Sequence, residues 1–391
     1  LLVVSARSRQ ALRELAGAYA QRITRGDVPP SAIAAAAYHQ REQMDLRLAL
    51  PLGETAAAAA ALQRFADDES LTGGLACGKV QVRHGKTVFV YSGNGAQWAG
   101  MGRDALARSS AFREAFMEVD ARYRTIAGWS LAEALDAPDL AAQLQRTSVA
   151  QPLLFAIQAA LTAALSTEGI APDLVLGHSV GEVAAALASG ALDLNAAVHL
   201  IHHRSQRQES VAGAGRMIAL AAGAEQAEAF LATLGAPGLV VAAYNGPHSV
   251  TLSGPDASVA LAEKAARLQR IATVALDIPY PFHSSLLDPA EAAIRADLKA
   301  LSPRETRAVF VSTVTGAPLA GPELDAGYWW RNIRLPVRFG AAVAAAGALG
   351  GTHFVEIGPR PILTGATSET LRAADIAADC VGSLSERDGQ D

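Results

Sequence analysis

The chain alternates between two spacings of apolar residues, and this alternation predicts an α/β fold. Apolar residues recur every three or four positions in several long runs, such as Thr147–Thr167, which is the spacing of one helix face. Short unbroken apolar stretches, such as residues 87–91 and 174–176, stand between these runs and are typical of strands buried on both faces. Helices that alternate with such strands predict a parallel sheet covered by helices.

The first 86 residues predict a small α/β unit of their own. Residues 2–5 and 45–50 have strand patterns, and residues 8–22 predict a helix with Ser8 as its N-cap. Two further helices are predicted, and the glycine-rich residues 72–78 predict a turn or short linker. No residues with catalytic chemistry stand out here, so we interpret residues 1–86 as an adaptor domain.

Residues 215–277 follow a different order of elements from the rest of the chain. Their strands and helices alternate as β-α-β-β-α-β, which is the order of a ferredoxin-like unit. The pattern predicts that this unit is inserted into a larger domain formed by residues 87–214 and 278–374. Residues 375–391 then follow as a linker segment, with a polar tail from Val381.

Composition narrows the class of protein. Half of the 391 residues are apolar and the net charge is −5, so a large core is available and a nucleic-acid-binding surface is not expected. Cys77 and Cys380 are far apart and lack metal-ligand spacing, which indicates reduced thiols rather than a disulfide framework or a zinc site. No apolar run of 18 residues lacks polar breaks, so no membrane-spanning helix is expected.

The start of the chain gives two further expectations. Residues 1–5 have neither a basic region nor a long apolar run, so no signal peptide is expected and we predict a cytoplasmic protein. Because the first residue is Leu rather than Met, we interpret the sequence as a piece excised from a longer chain.

A predicted helix at residues 194–210 carries three histidines and Arg204. His199 and His203 have the spacing of a metal-binding pair, but the helix offers no acidic third ligand nearby, so no metal site is expected. On composition alone, Arg204 is interpreted as a solvated surface charge.

Residues 175–182, with the sequence Val-Leu-Gly-His-Ser-Val-Gly-Glu, carry the clearest chemical motif. A strand pattern leads into Ser179 and an alanine-rich helix pattern follows, with Gly177 and Gly181 on either side of the serine. Small residues are needed there because a sharp turn from strand to helix leaves little room around the backbone. This turn exposes the Ser179 hydroxyl as a nucleophile and places the N–H of Val180 where it can bind an oxyanion.

Together with this turn, several separated motifs resemble the acyltransferase domain of type I polyketide synthases and the related malonyl-CoA:acyl-carrier-protein transacylases. The motifs are Ser92-Gly93-Asn94-Gly95-Ala96-Gln97, Gly177-His178-Ser179-Val180-Gly181-Glu182, Arg204, Tyr280-Pro281-Phe282-His283, Arg331-Asn332 and Glu356-Ile357-Gly358-Pro359. The resemblance covers the whole chain, and the motifs stand in the family's order. It implies an α/β-hydrolase-like large domain with a parallel sheet and the ferredoxin-like insertion. Residues 1–86 would be the ketosynthase-to-acyltransferase linker and residues 375–391 the start of the following linker.

The resemblance also implies roles for individual residues. Ser179 would carry the acyl group as an ester, and His283 would be the general base that deprotonates it. Asn332 stands where the family orients this histidine, commonly through a backbone carbonyl, in place of the acid of a Ser-His-Asp triad. Backbone N–H groups of Asn94 and Val180 would bind the oxyanion, although Asn94 replaces the glutamine usual in the family.

For substrate binding, the resemblance assigns Arg204 to the free carboxylate of a malonyl-type unit, since a planar guanidinium can hold a carboxylate with two hydrogen bonds. Gln97, His178, Tyr280 and Phe282 would also contact substrate. The implied substrate is an acyl-CoA, and no bound cofactor is expected. The implied partners are an acyl carrier protein with its phosphopantetheine thiol and the ketosynthase domain of the same polypeptide, without nucleic acid or membrane.

The acyl unit is predicted from the residues before the base. Malonyl-selective members tend to have His-Ala-Phe-His and methylmalonyl-selective members Tyr-Ala-Ser-His, whereas this chain has Tyr280-Pro281-Phe282-His283. The bulk of Phe282 would crowd an α-methyl branch, and Val180 replaces the glutamine common in methylmalonyl members. We therefore predict malonyl, with methylmalonyl or another substituted malonyl unit as the alternative.

Two other classes of function remain open from the residues. A serine hydrolase would need an acid in the triad, and Asp193, Asp256 and Asp277 all lie between Ser179 and His283 in the sequence. A non-catalytic docking module is the second alternative, although the presence of both Ser179 and His283 weighs against it.

Overall fold

A computed structural model describes residues 1–80 and 85–386 of the chain. The chain divides into two compact units, Leu1–Arg83 and His84–Asp391. The predicted first domain boundary at residue 86 stands close to residues 81–84, and the predicted final segment ends with residues 387–391. Both of these short stretches lie outside the described residues.

The N-terminal unit is a three-stranded antiparallel sheet with three helices. Its elements are β1 (Leu2–Ala6), α1 (Arg9–Arg25), α2 (Pro30–His39), β2 (Leu46–Leu50), α3 (Thr55–Asp68) and β3 (Ala76–Lys79). Helix α1 begins where predicted, because the Ser8 side chain accepts a hydrogen bond from the N–H of Ala11. Strand β3 overlaps the segment predicted as a turn or short linker, and it forms because it pairs with β2 despite its glycine and weak apolar pattern.

The larger unit begins with β4 and contains the remaining elements. Its strands are β4 (Lys86–Tyr91), β5 (Leu174–Gly177), β6 (Arg216–Leu220), β7 (Val240–Gly246), β8 (Ser249–Gly254), β9 (Thr273–Ala275), β10 (Val309–Ser312), β11 (Ala317–Leu319), β12 (Gly351–Ile357) and β13 (Asp379–Gly382). Its helices are α4 (Arg103–Arg108), α5 (Ser110–Ala127), α6 (Leu131–Leu135), α7 (Leu140–Gln143), α8 (Thr147–Thr167), α9 (Gly181–Ser189), α10 (Leu194–Glu209), α11 (Ala224–Leu234), α12 (Asp256–Leu268), α13 (Glu291–Asp297), α14 (Ala326–Arg334), α15 (Phe339–Ala348) and α16 (Thr364–Ala373). Short 3₁₀ helices occur at Ser285–Ala290 and Gly321–Glu323.

The central sheet of this unit has six strands in the order β11-β10-β5-β4-β12-β13. All neighbouring strands are parallel except β10 and β11. Every residue of β5 is buried, which explains its unbroken apolar pattern. The predicted α/β architecture with a mainly parallel sheet is confirmed, and the carboxyl end of β5 leads directly into the turn at Ser179.

Strands β6 to β9 form the predicted inserted subdomain. They make an antiparallel sheet in the order β7-β8-β6-β9, with α11 and α12 packed on it. The chain order β-α-β-β-α-β confirms the ferredoxin-like prediction. Its core is apolar, with Ile218, Leu252 and Val259 fully buried.

Helix α8 is the long core helix of the large unit. It is the one helix of the described residues with the length and hydropathy of a membrane span, at a mean hydropathy of 1.5. In the folded unit, 78% of its most apolar window is buried, which is the environment of a core helix in a folded domain. Pro152 is the sixth residue of the helix, beyond the first turn, so its missing N–H removes one intrahelical hydrogen bond.

Several elements of the large unit are absent from the sequence predictions, among them α14, α16 and β13. Helix α14 forms because the Asp325 side chain caps its first turn and the side chains of Tyr328, Trp329 and Trp330 are buried. Helix α16 is capped by Glu356, whose carboxylate accepts hydrogen bonds from the N–H groups of residues 362–364. The predicted polar tail from Val381 is wrong at its start, because β13 pairs in parallel with β12 at the edge of the central sheet.

Candidate active site

The turn between β5 and α9 is as tight as the sequence predicts. A Cβ atom on Gly177 would lie 2.2 Å from the carbonyl carbon of Gly181, and one on Gly181 would lie 2.3 Å from the carbonyl oxygen of Tyr91. Ser179 between them has a φ of 53°, in the left-handed region that non-glycine residues rarely adopt. The strained backbone places the serine hydroxyl at the amino end of α9.

His283 reaches this hydroxyl from the loop that follows the inserted subdomain. Its Nε2 lies 2.8 Å from the Ser179 Oγ, and its Nδ1 lies 2.8 Å from the carbonyl oxygen of Leu335. A carbonyl oxygen can only accept, so Nδ1 carries the proton and Nε2 presents a lone pair to the serine. His283 also has a positive φ, of 58°, so two strained residues meet in one hydrogen bond.

The environment of His283 favours its neutral form. Its side chain is buried, and burial, with the nearby charge of Arg204, lowers the pKa of His283 to about 3. A neutral imidazole with a free Nε2 can accept the proton of a serine hydroxyl at neutral pH. The pair therefore has the geometry and the protonation state that an activated serine needs.

Asn332 does not hold His283 in the predicted way. A backbone carbonyl holds Nδ1 of the histidine, as the resemblance implies, but it belongs to Leu335 rather than to Asn332, so the assignment of this role to Asn332 is wrong. The Asn332 amide instead donates to the Ser179 carbonyl oxygen at 3.1 Å and to a Glu182 carboxylate oxygen at 2.8 Å. Asn332 lies one turn before Leu335, so α14 brings the carbonyl rather than the amide to the histidine.

Arg204 is buried beside the serine, and the composition-based interpretation of a solvated surface charge is wrong. Its Nη2 donates to the Ser179 Oγ at 3.1 Å, and its side chain is 1% exposed. Its other acceptors are the amide oxygens of Gln151, Gln208 and Asn332, all neutral groups. Burial lowers the pKa of Arg204 to about 9, so the guanidinium keeps its charge at neutral pH. A buried cation held by neutral groups is well suited to bind an incoming carboxylate.

Glu182 supplies the negative charge nearest to this cation. It is fully buried, and its carboxylate accepts hydrogen bonds from the Tyr328 hydroxyl at 2.6 Å and the Thr313 hydroxyl at 2.8 Å. Burial raises the pKa of Glu182, although these hydrogen bonds act in the opposite direction. Through Asn332, Glu182 connects α14 to the turn that holds Ser179.

A cavity of about 250 Å³ opens above Ser179 and His283, between the central sheet and the inserted subdomain. Apolar residues from both sides make most of its wall. Its lining residues are Asn94, His178, Ser179, Met217, Ala219, Ala243, Asn245, Ser249, Thr251, Leu276, Ile278, Phe282, His283, Ile362, Leu363 and Ala366. A mainly apolar cleft between two subdomains with few polar groups is a typical small-molecule site.

The other predicted site residues lie around this cavity at different depths. Asn94, His178 and Phe282 line it, and Val180 is buried at the start of α9. His178 donates from Nε2 to the side-chain oxygen of Asn245 at 2.9 Å, which joins the serine turn to the inserted subdomain. The structure thus brings these side chains to the serine from separate parts of the sequence.

Gln97 and Tyr280 do not line this cavity. Gln97 accepts a hydrogen bond from the N–H of Gly95 and lines a neighbouring open groove of about 510 Å³. Tyr280 stacks against Phe282 on the side away from the serine, with ring centroids 5.1 Å apart. Their predicted contact with substrate therefore stays a prediction.

Sequence reasoning missed the polar residues that surround Arg204 and His283. Gln151 interrupts the apolar face of α8, and a polar residue in such a face indicates a buried hydrogen-bond partner. Gln208 follows Arg204 by four residues, so both lie on one face of α10. Both of these signals could be read from the sequence, whereas no sequence feature marks the backbone carbonyl of Leu335 as a hydrogen-bond partner.

The three histidines of α10 lie close together. The rings of His199 and His203 are 4.3 Å apart, and His203 Nδ1 lies 3.3 Å from the carboxylate of Asp297 on α13. Among residues 1–80 and 85–386, no group of three or more potential ligands is arranged to hold a metal ion. Cys77 and Cys380 are free thiols.

The acids considered for a hydrolase triad lie away from His283. Asp193 caps α10 and pairs with an arginine, Asp256 lies beside another arginine, and Asp277 accepts from a glutamine. The Nδ1 position of the histidine belongs to the carbonyl of Leu335. A Ser-His-Asp triad built on these acids is therefore not present.

Comparison with known proteins gives consistent matches. The family model described as acyl transferase domain matches residues 88–391. Erythronolide synthase EryA2 of Saccharopolyspora erythraea is 35% identical over 393 residues, which covers 100% of this chain and 11% of that protein. The spectinabilin polyketide synthase system protein NorA' of Streptomyces orinoci is 40% identical over 313 residues, covering 78% of this chain and 8% of that protein. The chain thus spans about a tenth of the length of these relatives.

Solved structures show the same similarity in three dimensions. The acyltransferase domain from module 8 of the salinomycin polyketide synthase matches with a TM-score of 0.92 and 31% identity, covering 99% of this chain and 91% of that one. MCAT from Streptococcus pneumoniae matches with a TM-score of 0.68 and 29% identity, covering 77% of this chain and 97% of that one.

Proposed function

The chain belongs to the acyl transferase family, as an acyltransferase domain of the modular polyketide synthase type related to MCAT, and on this premise we propose its reaction. It takes an acyl unit, preferentially malonyl, from CoA onto Ser179 and passes it to the phosphopantetheine thiol of an acyl carrier protein. The ketosynthase domain of the same polypeptide then uses the loaded carrier, in the cytoplasm. No cofactor is bound by this domain in the proposed reaction.

One observation carries this proposal more than any other. The Ser179 hydroxyl lies 2.8 Å from the neutral imidazole of His283 and 3.1 Å from the buried guanidinium of Arg204. A single nucleophilic oxygen atom at the floor of the cavity therefore forms hydrogen bonds with both a base and a cation. This combination supports transfer of an acyl unit that carries its own carboxylate.

The first half of the reaction loads the serine. The Ser179 oxygen attacks the thioester carbon as its proton moves to His283 Nε2, and a tetrahedral oxyanion forms. Backbone N–H groups of Val180 and Asn94 bind the oxyanion, and loss of one such donor costs about 3 kcal/mol in the barrier. The C–S bond then breaks, CoA leaves with the proton from His283, and an acyl ester remains on Ser179.

The second half repeats the same steps with the carrier thiol. His283, neutral again, takes the proton of the phosphopantetheine thiol, and the thiolate attacks the serine ester. The second tetrahedral oxyanion collapses with release of the Ser179 oxygen, which recovers the proton from His283. The Leu335 carbonyl keeps the Nδ1 proton in place throughout, so Nε2 alone shuttles the proton.

Arg204 selects acyl units that have a free carboxylate. Its present acceptors are neutral, so a malonyl carboxylate would add a charge-assisted pair that a plain acetyl group cannot provide. An acetyl unit would leave the buried cation without this gain.

Phe282 supports the preference for malonyl over methylmalonyl. Its ring lines the cavity next to His283, and only 4% of it is exposed, so an α-methyl branch would meet a closed wall. We expect Phe282→Ser to raise the rate of loading from methylmalonyl-CoA relative to malonyl-CoA by about 10-fold, the value of one or two buried methylene groups. An unchanged ratio would show that another part of the cavity determines the selectivity. A substituted malonyl unit would then remain the alternative substrate.

Mass spectrometry of the intact protein tests the whole proposal. After incubation with malonyl-, methylmalonyl- and acetyl-CoA, we expect one covalent acyl group on Ser179, with malonyl loaded fastest. Addition of a phosphopantetheinylated carrier protein should discharge the protein and acylate the carrier. Rapid release of free malonate without any thiol acceptor would instead indicate a hydrolase.

A further inference from the structure

The ring of Phe282 separates two spaces in the large unit. It lines the cavity above Ser179, and it also lines a second cavity of about 10 Å³ on its other face, next to Tyr280. Asn94 and Ile278 contribute to the walls of both spaces. The position of this ring, which is one of several side chains that line the cavity, therefore affects how much room an acyl group finds beside the serine.

Tyr280 stacks against the ring of Phe282 and supports it. The two rings are stacked with an angle of 2° between their planes, and Tyr280 itself is 3% exposed. Stacking alone permits sliding, because the attraction between aromatic rings changes little with small lateral shifts. Hydrogen bonds at the Tyr280 hydroxyl are what can prevent that sliding.

Those hydrogen bonds come from the end of α10 and the start of α8. The Tyr280 hydroxyl donates to Glu209 at 2.8 Å and accepts from the N–H of Thr147 at 3.1 Å. The second carboxylate oxygen of Glu209 accepts from the N–H of Ser148 at 2.8 Å. Arg146, which precedes α8, gives the helix no side-chain cap, so Glu209 and Tyr280 take that function together.

We propose that Glu209 is a positioning residue for acyl selectivity. It fixes the Tyr280 hydroxyl against the amino end of α8, Tyr280 fixes the Phe282 ring, and the ring excludes α-substituents from the Ser179 cavity. Glu209 acts through the two aromatic residues and does not touch the acyl group. This inference rests on the proposed function, because it concerns which acyl-CoA loads the serine.

The test compares two substrates on the same protein. In Tyr280→Phe and in Glu209→Ala, the ratio of kcat/KM for Ser179 acylation with methylmalonyl-CoA over malonyl-CoA should rise about 3- to 10-fold, as expected for loss of one buried hydrogen bond. Because the two residues share that bond, the double variant should rise no further than the larger single effect. Glu209→Gln keeps an acceptor oxygen for the tyrosine and should give a smaller rise.

Tyr244→Phe is the matched control, since the Tyr244 hydroxyl donates to Glu228 at 2.9 Å on the inserted subdomain and neither residue lines the cavity. Its ratio should equal that of the wild type. A merely structural role for Glu209 would slow both substrates alike, and an unchanged ratio in both Tyr280→Phe and Glu209→Ala would overturn the inference. If the wild-type protein is acylated by neither malonyl-CoA nor methylmalonyl-CoA, the proposed function itself is contradicted. That result differs from a failure of this inference alone, in which the wild type is acylated but the ratio does not change in the variants.

Discussion

The two units of the chain bury different kinds of side chain. Among residues 1–80, every buried side chain is apolar, and Leu12, Leu62 and Phe65 form the centre of the core. The larger unit has an apolar core as well, but it also buries charged groups, notably Glu182 and Arg204. Both units are α/β structures, so the difference does not come from the type of secondary structure.

This difference indicates where the chemistry lies. Burial of a polar or charged group costs free energy unless partners compensate it, so such groups persist mainly where they serve a function or a specific contact. In the larger unit Glu182, Arg204 and their partners gather around one serine, while other buried acids, such as Asp120 and Glu356, cap helices. Among residues 1–80, by contrast, every buried side chain is apolar. Four substitutions or conditions test this contrast, from the largest expected effect on acyl loading to the smallest.

Removal of the nucleophile should have the largest effect. Ser179→Ala is expected to abolish covalent loading from malonyl-CoA, because no other oxygen of the described site lies in hydrogen-bond reach of His283 Nε2. Intact-protein mass spectrometry measures it. The control is Ser189→Ala at the end of α9, where the hydroxyl donates to the Ala186 carbonyl and accepts from the N–H of Ala191, and loading should continue. Persistent label on Ser179→Ala would identify a different nucleophile.

Removal of the buried cation should have the next largest effect. Arg204→Ala is expected to lower kcat/KM for malonyl loading by about 100-fold, the value of a desolvated charge pair, and to lower acetyl loading less. Arg207→Ala is the control, because Arg207 lies on the same helix but forms a partly exposed pair with Asp297. The kcat/KM for malonyl loading by Arg207→Ala should stay within about twofold of the wild-type value. Equal losses for malonyl and acetyl would contradict the carboxylate role.

The third test is the pH dependence of loading. A general base acts only when unprotonated, and the folded pKa of His283 lies near 3 rather than at its ordinary value of 6.5. The kcat/KM for malonyl loading should therefore stay nearly level as the pH falls from about 7 to about 5. A decrease in kcat/KM at low pH with an inflection between about pH 6 and pH 7 would instead show that the pKa of the histidine is close to its ordinary value.

The lowered pKa of His283 also predicts how the free energy of unfolding changes with pH. The unfolded histidine binds a proton near pH 6.5, whereas the folded one remains neutral until about pH 3. The unfolded state therefore holds more protons between these values, and the free energy of unfolding contributed by His283 should decrease as the pH falls through this window. His283→Gln should reduce this dependence in denaturant titrations at several pH values.

The smallest effect on loading is expected from the N-terminal unit. Leu62→Ala removes a fully buried side chain and should cost about 2–5 kcal/mol in the free energy of unfolding of that unit. The rate of malonyl loading by the folded protein should change by less than about twofold, since no polar group of the site is involved. Gln63→Ala, at the exposed neighbour, controls for helix propensity. A large loss of loading in Leu62→Ala would show that this unit contributes to catalysis.

The sequence alone determined the features that depend on local sterics and periodicity. The turn at Ser179 could be predicted because the need for Gly177 and Gly181 arises within a few residues. Helix α8 begins and ends where its apolar pattern predicts, and the order of elements was enough to identify the ferredoxin-like insertion. These features follow from short-range backbone geometry, which is the same in any tertiary context.

The tertiary structure decided which groups meet. The carbonyl of Leu335 holds His283, but every residue has a carbonyl, so no side-chain pattern could indicate this one. Arg204 is buried rather than solvated because α8 and α14 bring Gln151 and Asn332 against it. Such contacts join residues far apart in the chain, and their energies depend on how helices pack, which no local pattern specifies.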